Sequence, residues 1–277
     1  MRSGVHALLS LGLLAGSAAV AEPADLAREI ATWQEFTRQV PTDNDDGKSI
    51  RESSRLLLDD AHSAMASNRP WLALSRLSVV WGNLSATRWV ESVDPAARKS
   101  LDELEKEWRR AGLPPTADSD VTRAAFASSF ASAAGRALAE SALLQAGEYH
   151  EASLEYGRNT EPGAGFFYLG AMRGQREFAR VATSLTPPRD AQGRALPPPT
   201  VRRLGVEITA LEDELLAAYR PPASIDSHSV FIRISALVKE ARELDAMGRP
   251  FGALHRLLDA RHRLSKLLRP GVLSADD

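Results

Sequence analysis

The chain contains no cysteine. A disulfide framework, a thiolate metal site and a cysteine nucleophile are therefore excluded, and packing alone must supply stability. It also lacks a convincing run of alternating β-branched residues, which argues against a strand-rich fold. Neither sign of charge is in excess. With 34 Lys and Arg against 36 Asp and Glu the formal net charge is −2, so strong nonspecific attraction to nucleic acid is not expected. No apolar run has the length of an ordinary membrane span. No glycine-rich phosphate loop and no G-x-S-x-G elbow occurs.

What is present begins at the first residues. Arg2, an apolar stretch from Val5 to Leu14 and small residues ending in Ala19-Val20-Ala21 have the layout of a secretory signal peptide cut after Ala21. With no cysteine at that point, no lipid attachment is expected, and the mature chain is expected to be soluble in the periplasm or secreted. Removing 21 of 277 residues leaves 256, enough to bury a sizeable core.

Helical spacing dominates the remainder. Helices are expected from Pro23 through the stretch "ADLAREIATWQEFTRQV", at Ser49–Ser67, Pro70–Thr87, from Asp94-Pro95 to a stop at Gly112, at Val121–Ala146, Tyr149–Arg158, Ala164–Leu185, Val201–Tyr219, Asp226–Met247 and Pro250–Leu268. The Pro-rich stretch "TPPRDAQGRALPPPT" reads as a linker. The expected organisation is a signal peptide at 1–21, a helical-repeat region at 22–185, a linker at 186–200, a C-terminal helical hairpin region at 201–269 and a frayed tail at 270–277.

One phrase is written twice. "NRPWLALSRL" at Asn68–Leu77 returns as "GRPFGALHRL" at Gly248–Leu257, six of ten positions matching at a distance of 180 residues. Asn68 and Gly248 suit the left-handed conformation just past a helix end. Arg69 and Arg249 precede proline and are pushed out of the helical region. Pro70 and Pro250 can then open a second helix at no hydrogen-bonding cost. The phrase is thus a corner joining two antiparallel helices. Ala73 and Ala253 are expected at the closest approach, followed by an inward stripe of Leu77 and Val80, or Leu257 and Ala260. The match extends backwards through Leu57/Leu237, Ala61/Ala241 and Ala66/Ala246, so the repeated unit is expected to be a whole helical hairpin.

Further copies of the corner are expected at Gly147 and, in a weaker form, at Gly174. The stretch Ala139–Ala179, with Gly147-x-Tyr149-x-x-Ala152-x-x-x-Tyr156 and a following Pro162, resembles the tetratricopeptide repeat. The resemblance implies an all-α fold: stacked antiparallel helical hairpins forming an irregular tetratricopeptide-like solenoid. It further implies a non-catalytic adaptor that holds a protein or peptide.

For a binding surface, Trp71, Trp81, Trp89 and Trp108 crowd one window, with Arg109 and Arg110 after the last. Trp and Arg dominate binding hot spots, so these six are the candidate partner contacts. Core packing is the plainer role for the stripe holding Trp71 and Trp81, and for Phe166, Phe167 and Tyr168. Other chemistry finds little support. His255, Asp259 and His262 share a helix face, but Arg256, Arg261, Arg263 and Lys266 oppose a metal there. "TDNDDG" before Lys48 has Ser53 where a calcium loop needs a bidentate acid. Asp226, Ser227 and His228 are adjacent, yet helix capping accounts for them. Paired acids such as Glu103/Glu107 and Glu151/Glu155 are common on helix surfaces.

The expected function is an exported, non-catalytic adaptor binding a protein or peptide in the cell envelope, with no cofactor and no metal. Two alternatives are an envelope glycan-binding protein or hydrolase with an acidic cleft, and a peripheral membrane protein using the basic helix Phe251–Leu268.

Overall fold

A computed structural model describes residues 23–42, 45–112, 133–184, 192, 201–222 and 224–268. The expected signal peptide, most of the linker and the final tail lie outside these residues. Among the described residues the chain forms nine α-helices and no strand. They are α1 (Pro23–Gln39), α2 (Asp45–Ala66), α3 (Pro70–Ser92), α4 (Leu101–Ala111), α5 (Ala133–Asn159), α6 (Pro162–Ser184), α7 (Gly205–Ala218), α8 (His228–Ala246) and α9 (Pro250–Leu268). No described helix is long and apolar enough to cross a membrane.

Both copies of the repeated phrase turn the chain as their residues dictate. Asn68 has φ 55° and Gly248 φ 70°. The Arg69 N–H donates to the Ala64 carbonyl at 2.8 Å and the Asn68 N–H to Met65 at 3.0 Å. The second corner repeats this, Arg249 to Leu244 at 2.8 Å and Gly248 to Asp245 at 3.1 Å. These paired bonds are the Schellman closure of a helix end. Ala73 and Ala253 are both fully buried beyond the corner.

The repeat is longer than the hairpin. Leu26, Ile30, Trp33 and Thr37 form the buried line of α1, and Leu204, Ile208, Leu211 and Leu215 form the same line along α7, shifted by 178. Ser54, Leu58, Ala61 and Ala64 of α2 match Ile234, Val238, Ala241 and Leu244 of α8 at 180, as do Ala73, Leu77, Val80 and Leu84 of α3 with Ala253, Leu257, Ala260 and Leu264 of α9. The chain therefore contains one three-helix unit twice, unit A (α1–α3) and unit B (α7–α9). Between them in sequence lie α4 and the antiparallel pair α5–α6, whose two helices pack along each other.

The corner expected at Gly147 is absent. Gly147 lies inside the unbroken 27-residue α5, and Gly174 lies inside α6. The separate helices expected at Val121–Ala146 and Tyr149–Arg158 are, over the described residues, one. The reason is local. At 68–70 and 248–250 the left-handed residue is followed by Arg-Pro, which forbids further helix; Gly147 is followed by Glu148-Tyr149, which does not. The chain turns instead at Thr160–Glu161, ahead of Pro162. The helix expected from Asp94-Pro95 also begins later. Asp94 accepts from the Ala96 N–H at 2.7 Å in a turn, and α4 starts after Ser100, whose hydroxyl accepts from the Glu103 N–H at 3.3 Å. Its stop at Gly112, φ 65°, is as expected.

The two units dock on the central pair through different faces of their third helix. Unit A uses Trp81, Gly82, Ser85 and Ala86. Trp81 sits edge-on to Trp33 at 5.0 Å and to Phe178 of α6 at 5.7 Å. Gly170 and Gly174 of α6 let the backbones meet: an added Cβ would stand 2.7 Å from the Ala86 Cα and 2.5 Å from the Ser85 Cβ. At the matching positions of α9 stand Arg261, His262, Ser265 and Lys266, which face solvent or its edge. That face cannot pack, and unit B turns another face to α5.

Candidate functional site

Helix α5 reaches unit B with a carboxylate. Glu140, 2% exposed, accepts from the backbone N–H of Gly252 at 2.7 Å and from Arg136 Nε at 3.0 Å. Gly252 lies in the first turn of α9, where an N–H has no partner within the helix. Arg249, the residue before that helix, cannot cap it, so a carboxylate from another helix takes the role. Gly252 is required for the approach, since a Cβ there would stand 3.0 Å from the Glu140 Cβ. The Arg136 guanidinium lies over the Phe251 ring at 4.6 Å. Burial pushes the Glu140 carboxyl above its usual range, against the lowering effects of Gly252, Arg136 and Arg249. A raised acid in a cleft is a hallmark of catalysis. Here the carboxyl is enclosed by its own partners at the start of α9.

One and two turns further along α5, Leu144 joins the core of unit B, and Glu148 lies within electrostatic reach of Glu240, Glu243 and Arg256. Glu148 keeps exposed surface, but shielding of its carboxyl, followed by the like charges of Glu240 and Glu243, pushes it upward. The α8–α9 side of unit B is thus a groove that holds one face of α5.

Unit A has the same groove, with no described helix in it. Between α2 and α3 a shallow depression of about 250 Å³ is lined by residues including Asp60, Ser63, Ala64, Arg69, Leu72 and Arg76. Shifted by 180, these are Glu240, Glu243, Leu244, Arg249, Gly252 and Arg256, the residues that surround Glu140, Leu144 and Glu148. The internal ion pair also repeats: Arg76 lies 3.8 Å from Asp60, and Arg256 lies 2.7 Å from Glu240. Arg249 is 4% exposed under α5, whereas Arg69 is exposed. Leu72 and Val79, on the open face of α3, are 38% and 58% exposed.

The six residues expected to bind a partner do not come together. Trp81 is 1% exposed in the core between Trp33 and Phe178, which removes it as a surface contact. Trp89 is half-buried against Phe166, with the Arg173 guanidinium 4.5 Å from its ring. Trp108 is half-buried, stacked on His150 at 4.5 Å and donating its indole N–H to the His150 carbonyl at 2.8 Å. Arg109 lies 3.8 Å from Glu105, and Arg110 pairs with Glu107. Trp71 is half-buried, packed against the core of unit A, at the position matching Phe251. The groove itself was not singled out from sequence. Its signal was the extension of the repeat to Asp60/Glu240 and Arg76/Arg256, a conservatively matched pair of charges.

Other candidates resolve simply. Phe166 is core, as expected, but Phe167 and Tyr168 are half-buried, and Tyr168 lines up at the surface with Tyr156 at 4.6 Å and Tyr149 at 6.0 Å. Asp259 accepts from Arg263 Nε at 2.9 Å, and no group of three acids or histidines among the described residues is arranged to hold a metal. Asp45 and Gly47 belong to the first turn of α2 rather than to a loop. On the basic helix α9, Arg256, Arg261 and Arg263 are engaged by Glu240, Glu214 and Asp259. No protein-family model, curated protein or solved structure matches the chain.

Proposed function

We propose that the protein is an exported, non-catalytic adaptor of the cell envelope, an irregular tetratricopeptide-like stack of helices that binds another protein or a peptide. One observation carries the reading: the groove that holds a helix in unit B holds no described helix in unit A, where Arg69 and Leu72 line it and are exposed, as is Val79 two turns further along α3. A surface built to the same plan as an occupied helix-binding groove, and carrying exposed aliphatic side chains, is a site for a partner. Trp71, at the position that Phe251 holds in unit B, is the aromatic side chain offered as a partner contact.

The test places a photo-crosslinking residue at Leu72, at Val79 and, as control, at Val206, which is exposed on α7, in the protein within its native envelope. Adducts with a polypeptide are expected from the first two and not from the third, and Arg69→Glu should abolish them. Absence of groove adducts, or equal adducts at Val206, would refute the proposal. Export is tested separately by the mass of the mature chain, which should lack the residues through Ala21.

A further inference from the structure

We infer that the α2–α3 groove of unit A receives an α-helix of a partner protein that carries a carboxylate followed one turn later by a branched aliphatic side chain. This rests on the adaptor reading above and names its ligand. Unit B supplies the template. Arg136, Glu140, Leu144 and Glu148 fall four residues apart and form one line down α5. Each meets the groove: Arg136 over Phe251, Glu140 at Gly252, Leu144 in the core with Leu244, and Glu148 towards Glu240 and Arg256.

Two differences adapt the pattern to unit A. Ser63 replaces Glu243, so the lining of the unit A groove sets Arg69 and Arg76 against Asp60 alone, whereas the matching positions of unit B carry Arg249 and Arg256 with both Glu240 and Glu243. The open groove therefore carries a net positive charge and complements an acidic helix better than its counterpart does. Leu72 replaces Gly252, and its side chain holds an incoming helix further out. The Leu72 N–H is also engaged, bonding the Arg69 carbonyl at 3.1 Å. The incoming carboxylate accordingly meets the exposed Arg69 guanidinium, and the aliphatic side chain settles on Leu72. The chain's own α5 is committed to unit B, and a second copy's α5 would be committed in the same way. No described helix of this chain occupies the groove, and the ligand is assigned as a helix of another protein.

The test uses the full mature chain and a lactam-bridged helical peptide spanning Arg136–Tyr149, with the bridge on the face opposite Glu140 and Leu144. Saturable binding by fluorescence anisotropy is expected, with hydrogen-exchange protection over α2 and α3. Arg69→Glu in the protein should weaken it about tenfold or more, as should Glu140→Lys in the peptide. Val79→Glu is a second groove variant, Val206→Asp should change nothing, and circular dichroism verifies folding of each. Several results would overturn the inference: unchanged affinity with Arg69→Glu, protection at 248–256 in place of α2 and α3, or self-association of the chain that Arg69→Glu abolishes. Equal binding of a peptide with Glu140→Gln would reject the carboxylate requirement while groove crosslinks still upheld the adaptor reading.

Discussion

Replacing Gly165 by alanine should destabilise the protein, although the same change two residues earlier should stabilise it. Alanine is favoured over glycine inside a helix by up to about 1 kcal/mol. At Gly163 the nearest atom to an added Cβ lies 3.9 Å away, so Gly163→Ala keeps that gain. At Gly165 the Cβ would stand 2.6 Å from the Ser153 carbonyl oxygen and 2.4 Å from Leu104 Cδ2. The carbonyl belongs to α5 and cannot rotate away, so α5 and α6 must part by roughly 0.5 Å or more. Leu104, the fully buried residue of α4, must also leave the notch formed with Gly157. Overpacking of this kind costs about 1–3 kcal/mol, leaving Gly165→Ala less stable by up to about 2 kcal/mol after the full helix gain. In a chain of this size 1 kcal/mol moves Tm by about 2–4 °C. Calorimetry should therefore put Gly165→Ala below the native protein, by as much as about 4–8 °C, and Gly163→Ala at or slightly above it. A Gly165→Ala protein that melts above the native chain would show that the helices do not approach as described.

The corners offer a pair with opposite signs: Gly248→Ala, at φ 70°, should cost about 1 kcal/mol, whereas Asn68→Gly should cost nothing or stabilise, both read by urea unfolding. Glu140→Gln tests the buried carboxylate through pH. Its folded pKa is raised, so its contribution is fully present below the unfolded value and is lost as pH rises through the folded one; the stability of the native protein should fall over that window and that of Glu140→Gln should change less. Leu104→Ala should cost about 2–5 kcal/mol and expose Trp108, seen as a red shift in fluorescence.

The strongest sequence signals were those in which backbone chemistry and burial agreed. Asn68-Arg69-Pro70 and Gly248-Arg249-Pro250 dictate their corners because proline and a left-handed residue leave the chain few alternatives. Pro250–Leu268 was legible to the residue for the same reason. Gly147 misled because glycine only permits a corner, and the Ala- and Leu-rich helix around it favoured continuing. That the first helix of each unit belongs to the repeat escaped notice because α1 and α7 share buried positions but not residue types: Trp33 is matched by Leu211 and Thr37 by Leu215, and the shift between them is 178 where the hairpins have 180. Trp81 could not be told from Trp71 in sequence. They lie on one stripe, and only the position of α6 decides which is covered. The groove was invisible for a related reason, since its meaning comes from finding α5 in the other copy.

The two units share a plan but not a degree of independence. Unit B closes its own core, and α5 contributes to it only Leu144. Unit A leaves its core open on one side and borrows Leu138, Ala139, Ala142 and Leu143 from α5 and Phe178, Ala179 and Ala182 from α6. Excised as a fragment, the last three helices would keep nearly all their interior, while the first three would lose a wall. The half whose groove holds no described helix is thus the half that leans on the central pair for a wall of its interior.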